Sequence, residues 1–588
     1  MQLVRSFRIP ALLCALSVLL CELIARPFAN MSVCDDGPYI LMAQHLAATG
    51  HIAYNGGATA MLGWQLYLGA ALIKLFGFSF TAVRSSTVLV AMAMAFLLQR
   101  IMVRSGITER NATLGTLALV LSPLSLMLSA TYMTDITGLF AVVICLYSCI
   151  RALQASTTRA TIAWLVFAVI TNALCGTSRQ IAWLGILVML PSTLWLLLAQ
   201  RRVFSEQRRI FVAGFAATLT GVVLIFACMH WFSRQPYILP EPLLPKSFPI
   251  AYTLGTIATF YLDLPFLLLA LVALFLPQLR SLRPRILALL ALIAAGYLFL
   301  ATYPSHLRGR FPLEPTLHNG NWVSVHGIYE GVVSLSDWHS QTPIFLNTPT
   351  CALLTLVSIG GLLGLLVSLR RTRKTPTNDS PPTSQKALTW YQLTILLAPF
   401  TLAYMLLLLP RSTGLLFDRY ALELLLVATI FLVRYYQDRI HPQLPFATML
   451  LVAVMAIYAI ATTHNMFSID RARVSLAAEL NANGVPDTSV DNGWEYNFDV
   501  EIQQAGYIND ARILIPTHAY TPAPPPPTGI CQMLFYDDTP HIHPLYGISF
   551  QPNVCNGPAP FAPVHYSRWL APSPGTLYVV HYTAPTKP

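Results

Sequence analysis

Two adjacent carboxylates, Asp35 and Asp36, lie in the segment CDDGPYILMAQHL, just after the first apolar stretch of the chain. Neighbouring carboxylates repel, and near a low-dielectric surface one of the two tends to keep its proton. Such a pair suits a general base or a divalent-cation site. A structural role is the alternative, in which Asp35 or Asp36 caps a helix with Pro38 in its first turn. The residues alone leave both interpretations open.

A third carboxylate, Asp135, follows a later apolar stretch in the segment YMTDITGLF. Ionisable groups at membrane depth are rare and usually face a cavity, although Thr134 or Asp135 could also be an N-cap. If both segments lie on one side of a membrane, a shared site is expected. We therefore predict Asp35, Asp36 and Asp135 as catalytic residues. Asp36 and Asp135 are the candidate ligands if a divalent metal ion is required.

Six arginines lie near the same ends of the apolar stretches, where basic residues are otherwise disfavoured. A cluster of guanidinium groups binds phosphate oxygens bidentately. Snorkelling or a local ion pair, such as one between Asp418 and Arg419, is the alternative for any single arginine. The candidate substrate-binding residues are Tyr39, Arg84, Arg179, Arg308, Arg310, Arg411 and Arg419.

The elements that must position these residues are membrane helices. The chain has 588 residues, of which 55% are hydrophobic and 10% charged, whereas soluble domains are about 25% charged. A soluble enzyme is excluded, and apolar runs of roughly 20 residues are long enough to cross a bilayer. We predict an all-α polytopic membrane protein with about thirteen spans near residues 10–28, 80–99, 111–129, 131–150, 160–177, 180–199, 210–231, 250–277, 285–303, 346–369, 387–409, 413–433 and 443–462.

The distribution of charge predicts the orientation. With the N-terminus in the cytoplasm, most of the 36 Lys and Arg residues fall in inner loops, as the positive-inside rule requires. The net charge of +11 is thus a topology signal, and nucleic acid is excluded as a partner because no basic domain is present. We predict a multi-pass protein of the inner (plasma) membrane, surrounded by membrane lipids.

The predicted membrane domain covers residues 1–465. It includes a first outer loop at 29–79, a second outer segment at 304–345 and a cytoplasmic linker at 370–386. Residues 466–588 are predicted to form a small extracytoplasmic α+β domain.

Two features of the outer segments carry further predictions. In the first outer loop, MLGWQLYLGAALIKLFG is amphipathic at helical spacing and is expected to lie along the outer leaflet. In the C-terminal domain, ARILIP and TLYVVHY are β-prone. Cys531 and Cys555 share an oxidising compartment there and could form a disulfide.

Motifs for soluble cofactors are missing from the sequence. It contains no Walker loop, GxGxxG, GxSxG or HExxH. His541 and His543 have no third metal ligand at a recognisable spacing. The sequence therefore contains no motif for ATP-driven transport.

Three segments resemble the membrane-integral glycosyltransferases of the GT-C class, in the family-39-like branch that contains protein O-mannosyltransferases and lipid A aminoarabinose transferase. They are DDGPYILMAQHL, YMTDIT and FDRYALELLL, the last beginning at Phe417. Members often have Asp-Glu where this chain has Asp35 and Asp36.

The resemblance implies a GT-C-like fold and transfer of a sugar from a polyprenyl-phosphate donor to a lipid, glycan or protein acceptor on the outer face. It further implies that Asp35 or Asp36 is the base and that Asp135 positions a metal or the acceptor. By the same resemblance, Arg419 contacts the donor phosphate.

Two other classes of function remain. A lipid or solute transporter or flippase without catalytic activity would also have many spans and intramembrane polar groups. Against it, no internal repeat is evident, and the polar residues gather at one face instead of the bilayer midplane. A non-catalytic assembly or receptor subunit would use the C-terminal domain for binding.

Overall fold

Most of the described chain is helical, as the composition predicts. The computed structural model describes residues 8–57, 61–201, 203–240, 247–302, 323–324, 327–328, 335, 348–372, 387–413, 416–523 and 531–582. Arg308 and Arg310 lie outside these residues, as do most of the predicted outer segment 304–345 and most of the linker 370–386.

The helices are numbered here in chain order. They are α1 (Ile9–Ala25), α2 (Asp36–Thr49), α3 (Trp64–Phe76), α4 (Phe80–Arg104), α5 (Glu109–Val120), α6 (Pro123–Ser129), α7 (Thr134–Leu153), α8 (Thr158–Cys175), α9 (Leu190–Gln200), α10 (Phe204–Phe232), α11 (Ile250–Leu267), α12 (Leu269–Val272), α13 (Pro284–Thr302), α14 (Thr348–Thr372), α15 (Trp390–Leu408), α16 (Leu422–Arg439), α17 (Phe446–Ala482) and α18 (Trp494–Ala505).

Within the described ranges, nine helical stretches are long and apolar enough to cross a membrane. The pair α5 and α6, bent by 67°, makes a tenth if it is one broken span. The other three predicted spans coincide with α1, with α13 and with the stretch 250–277, which is divided between α11 and α12. Pro265 lies inside α11, and proline removes a helical hydrogen bond. The helix ends within three residues of it.

The C-terminal region contains a small sheet, as predicted. Its strand order is β3 (Val490–Asp491), β4 (Tyr546–Ser549), β6 (Gly575–His581) and β5 (Val564–Tyr566), with only β3 and β4 parallel. A separate pair, β1 (Val323–Ser324) and β2 (Gly327–Ile328), is antiparallel.

The other C-terminal expectations have different outcomes. TLYVVHY lies almost entirely on β6, whereas ARILIP forms turns instead of a strand. Cys531 and Cys555 form a disulfide. Helix α17 runs without interruption across the predicted domain boundary at 465/466, and that boundary stays a prediction.

The loop between α1 and α2 packs directly on the C-terminal region. Asp499 of α18 accepts a hydrogen bond from the backbone N–H of Ser32 at 3.0 Å and another from the Ser32 hydroxyl. A Cβ at position 37 would collide with both side chains, so Gly37 permits the close approach. Burial raises the pKa of Asp499 to about 7 although the Ser32 hydrogen bonds oppose the shift.

Helix α3 is the amphipathic segment of the first outer loop. Trp64 donates its indole N–H to the carbonyl oxygen of Cys175 at 2.8 Å, which fixes the start of the helix. Leu75 and Phe76 at its end are exposed. Its position along the outer leaflet stays a prediction.

Candidate active site

Asp36 is the first residue of α2 and is fully buried. Arg84 of α4 donates from Nε to Oδ2 at 2.7 Å and from Nη2 to Oδ1 at 3.0 Å. The backbone N–H groups of Val33 and Tyr132 donate to the same carboxylate at 2.8 and 3.0 Å. A carboxylate offers about four acceptor positions, and four donors occupy them here.

Arg84 is equally committed to this contact. Besides Asp36, its guanidinium donates to the carbonyl oxygens of Ala29 and Met31 at 3.0 and 2.6 Å, and its side chain is buried. The pair thus joins α4 to the loop before α2 and to the loop before α7. The buried pair of Asp36 and Arg84 thus holds these segments together.

Asp35 differs from Asp36 in its surroundings. Its side chain is 44% exposed, and Arg419 donates from Nη2 to its Oδ2 at 3.1 Å. The Arg419 side chain is itself only 10% exposed. Among the described residues Asp35 thus combines partial exposure with one cationic partner, which suits a base acting on an incoming hydroxyl.

Asp135 lies in the first turn of α7 and forms a buried ion pair with Arg179. A Cβ at Gly138 would meet the aliphatic stem of Arg179, so this glycine leaves room for the arginine to cross α7. The second carboxylate oxygen, Oδ2, has no hydrogen-bond partner among the described residues. This oxygen is buried together with the rest of the Asp135 side chain.

The two ion pairs form one cluster around Tyr420. The guanidinium carbon of Arg179 lies 5.1 Å from the centre of the Tyr420 ring, and that of Arg419 lies 5.8 Å from it. Arg419 also interacts electrostatically with both Asp35 and Asp135. Carboxylates from two separate loops and two guanidinium groups thus meet at the end of the helical bundle that contacts the C-terminal region.

Two further residues that the sequence predicts as substrate-binding, Tyr39 and Arg411, are not part of the described contacts of this cluster. Tyr39 is buried on α2, and Arg411 is exposed in a short turn at Pro410–Thr413.

Two residues that the sequence analysis did not single out belong to the cluster. Tyr404 donates to Glu423 at 2.7 Å, and Glu423 interacts electrostatically with Arg179. Glu423 lies within the quoted FDRYALELLL segment, and an acidic residue in a membrane span was the signal for it.

A divalent metal gains little support from the side chains. No group of three His, Cys, Asp or Glu residues suited to a metal ion occurs in the part of the chain that the structure describes. The oxygens of Asp36 all accept from N–H groups, and Oδ1 of Asp135 is paired with Arg179. We therefore derive no step through a metal ion.

No protein-family model and no curated protein sequence matches the chain. Among solved structures it is similar to ArnT from Cupriavidus metallidurans, in the apo state and bound to undecaprenyl phosphate. Each has a TM-score of 0.33 and 15% identity, over 73% of this chain and 77% of that one.

Two further structures show a comparable likeness. Arabinosyltransferase EmbB from Mycobacterium smegmatis has a TM-score of 0.31 and 15% identity, over 72% of this chain and 41% of that one. The S. cerevisiae protein O-mannosyltransferase Pmt1-Pmt2 complex bound to the sugar donor has a TM-score of 0.31 and 11% identity, over 40% and 34%. Similarity at this level says nothing about the site, whose chemistry follows from this chain's own residues.

Proposed function

We propose that this protein is a membrane glycosyltransferase that moves a sugar from a polyprenyl-phosphate donor to an acceptor hydroxyl at the outer face. The observation that carries the proposal is the convergence of an exposed carboxylate, Asp35, with two arginines, Arg179 and Arg419, at one end of a helical membrane bundle. A base and a phosphate clamp are what such a transfer needs. A lipid-phosphate donor already carries its leaving group and requires no nucleotide-binding fold.

In the proposed reaction, Asp35 accepts the proton of the acceptor hydroxyl as its oxygen attacks the anomeric carbon of the sugar. The bond between that carbon and the phosphate oxygen breaks, and its electron pair leaves with the polyprenyl phosphate. Arg179 and Arg419 stabilise the charge on that phosphate. When the phosphate binds Arg419, it displaces Asp35 from this guanidinium and releases the carboxylate for the acceptor.

Asp135 is proposed to hold Arg179 in place for this step. Because the pair is buried, its geometry is insulated from solvent and from screening by salt. The acceptor is a lipid, glycan or protein hydroxyl.

Single Asp35→Asn and Asp135→Asn variants test the proposal in membranes supplied with polyprenyl-phosphate sugars. We expect Asp35→Asn to abolish transfer while the protein still binds undecaprenyl phosphate, the lipid present in one of the similar structures. Transfer at the wild-type rate in both variants would reject the site. Lipid translocation without any transfer by the wild-type protein would instead support a flippase.

A further inference from the structure

One aromatic side chain, Tyr420, lies against both arginines of the site. Its ring contacts both guanidinium groups, at 5.1 Å from Arg179 and 5.8 Å from Arg419. Guanidinium groups favour the face of an aromatic ring. The ring therefore contributes to the position of both cations, beside the ion pairs with Asp135 and Asp35 and the Phe417 ring, whose centre lies 4.5 Å from Arg419.

Tyr420 lies in a short turn, Asp418–Ala421, that precedes α16. Such a 3₁₀ turn is held by few and poorly aligned internal hydrogen bonds, so its position requires an external contact. The Tyr404 hydroxyl of α15 supplies one, since its single proton is shared between the Tyr420 carbonyl oxygen at 2.9 Å and Oε2 of Glu423 at 2.7 Å. Tyr404 is fully buried.

Glu423 completes this arrangement from the first turn of α16. Its Oε2 lies 2.7 Å from the Tyr404 hydroxyl, and the carboxyl group is buried. Glu423 also interacts electrostatically with Arg179. Glu423 thus contacts Tyr404, which holds the turn, and also interacts with Arg179, which lies against the Tyr420 ring of that turn.

We infer that Tyr404 and Glu423 are positioning residues that fix the distance between Arg179 and Arg419 so that both guanidinium groups bind one phosphate headgroup. The inference rests on the proposed function and adds to it two residues that touch neither the sugar nor the acceptor. Both residues are buried at the site. Burying a carboxylate costs free energy, so the contacts of Glu423 with Tyr404 and Arg179 must offset that cost, which favours a positioning role.

The test compares binding of undecaprenyl phosphate with binding of undecaprenol, which has the same chain and no phosphate. The ratio of the two dissociation constants, measured on the full-length protein in detergent by native mass spectrometry, reports the phosphate clamp alone. A merely structural weakening of the bundle would affect both lipids alike. We expect Tyr404→Phe and Glu423→Ala each to lower this preference for phosphate about five- to tenfold, the size of one lost hydrogen bond.

Two controls sharpen the comparison. Glu423→Gln keeps a side-chain oxygen for the Tyr404 hydroxyl and is expected to stay within about twofold of wild type, since it preserves that hydrogen bond. Tyr435→Phe removes a tyrosine hydroxyl from α16 that pairs with Ser368 at 2.8 Å outside the cluster, and it is expected to leave the ratio unchanged.

The outcomes separate the two proposals. If the Tyr404→Phe and Glu423→Ala variants both prefer undecaprenyl phosphate over undecaprenol as strongly as the wild type does, the positioning role is overturned and the transferase proposal stands. A wild-type protein that binds both lipids equally would refute the phosphate clamp itself. If Tyr404→Phe does not fold, the contrast between Glu423→Ala and Glu423→Gln decides the question.

Discussion

The adjacent residues Asp35 and Asp36 should respond in opposite ways to the same substitution, aspartate to asparagine. Asp36 is fully buried and pairs with Arg84, so its replacement leaves a buried guanidinium without a counter-charge. Breaking a buried pair by removing one partner costs about 3–5 kcal/mol. Asp35 is 44% exposed, and an ion pair of that kind contributes roughly 0–1 kcal/mol.

The assay is the thermal unfolding midpoint in detergent, measured beside sugar transfer. Asp36→Asn is expected to lower the midpoint strongly, whereas Asp35→Asn keeps the midpoint near that of the wild type and loses transfer. The double variant Asp36→Asn with Arg84→Gln serves as control. It should be less destabilised than the sum of its single changes, because neither partner is left as an unpaired buried charge.

Two results would refute this reasoning. An Asp36→Asn protein with an unchanged midpoint would show that the ion pair does not support the loop before α2. An Asp35→Asn protein that still transfers sugar while Asp36→Asn folds but does not would exchange the roles of the two residues.

Three further predictions follow from the C-terminal region and the cluster. The pKa of Asp499 is raised to about 7 by burial, so its contribution to stability is present at acidic pH and is lost as pH rises through about 7. Asp499→Asn should flatten the dependence of the unfolding midpoint on pH between about 4 and 7, and an unaltered slope would contradict the assignment. The Cys531–Cys555 disulfide closes a loop with a sequence separation of 24. Its removal by Cys531→Ser should lower the free energy of unfolding of the C-terminal region by about 3 kcal/mol. Faster proteolysis of the C-terminal region would show this loss, and wild-type resistance would argue against it. Arg419→Lys should weaken undecaprenyl phosphate binding about tenfold because lysine lacks the planar fork of guanidinium; equal affinity would exclude bidentate binding.

The fold was largely predictable because membrane spans are encoded locally. An apolar run of about 20 residues is sufficient to indicate a span, and each of the thirteen predicted stretches overlaps a helix in the part of the chain that the structure describes. The count of spans was less predictable, since a break such as that after Pro265 depends on packing as much as on composition.

The site was predictable in its residue types and only partly in its membership. Asp35, Asp135, Arg179 and Arg419 are among the residues predicted from the sequence, and the structure brings these four together. Their catalytic roles stay predictions. Asp36 and Arg84 are predicted with them, and the structure pairs these two with each other in the interior; their roles stay predictions as well, because sequence does not show which carboxylate of a neighbouring pair turns inward.

The amino-acid sequence by itself determines that this chain is a membrane protein, since hydrophobicity acts along each segment independently of the others. Only the tertiary structure decides which charges pair. Ion pairs between residues as far apart as Asp35 and Arg419 depend on how separate helices pack, and burial then separates a structural carboxylate from an accessible one. Tyr404 and Glu423 belong to the site for the same reason, because their contact with the turn at Tyr420 exists only once α15 and α16 are side by side.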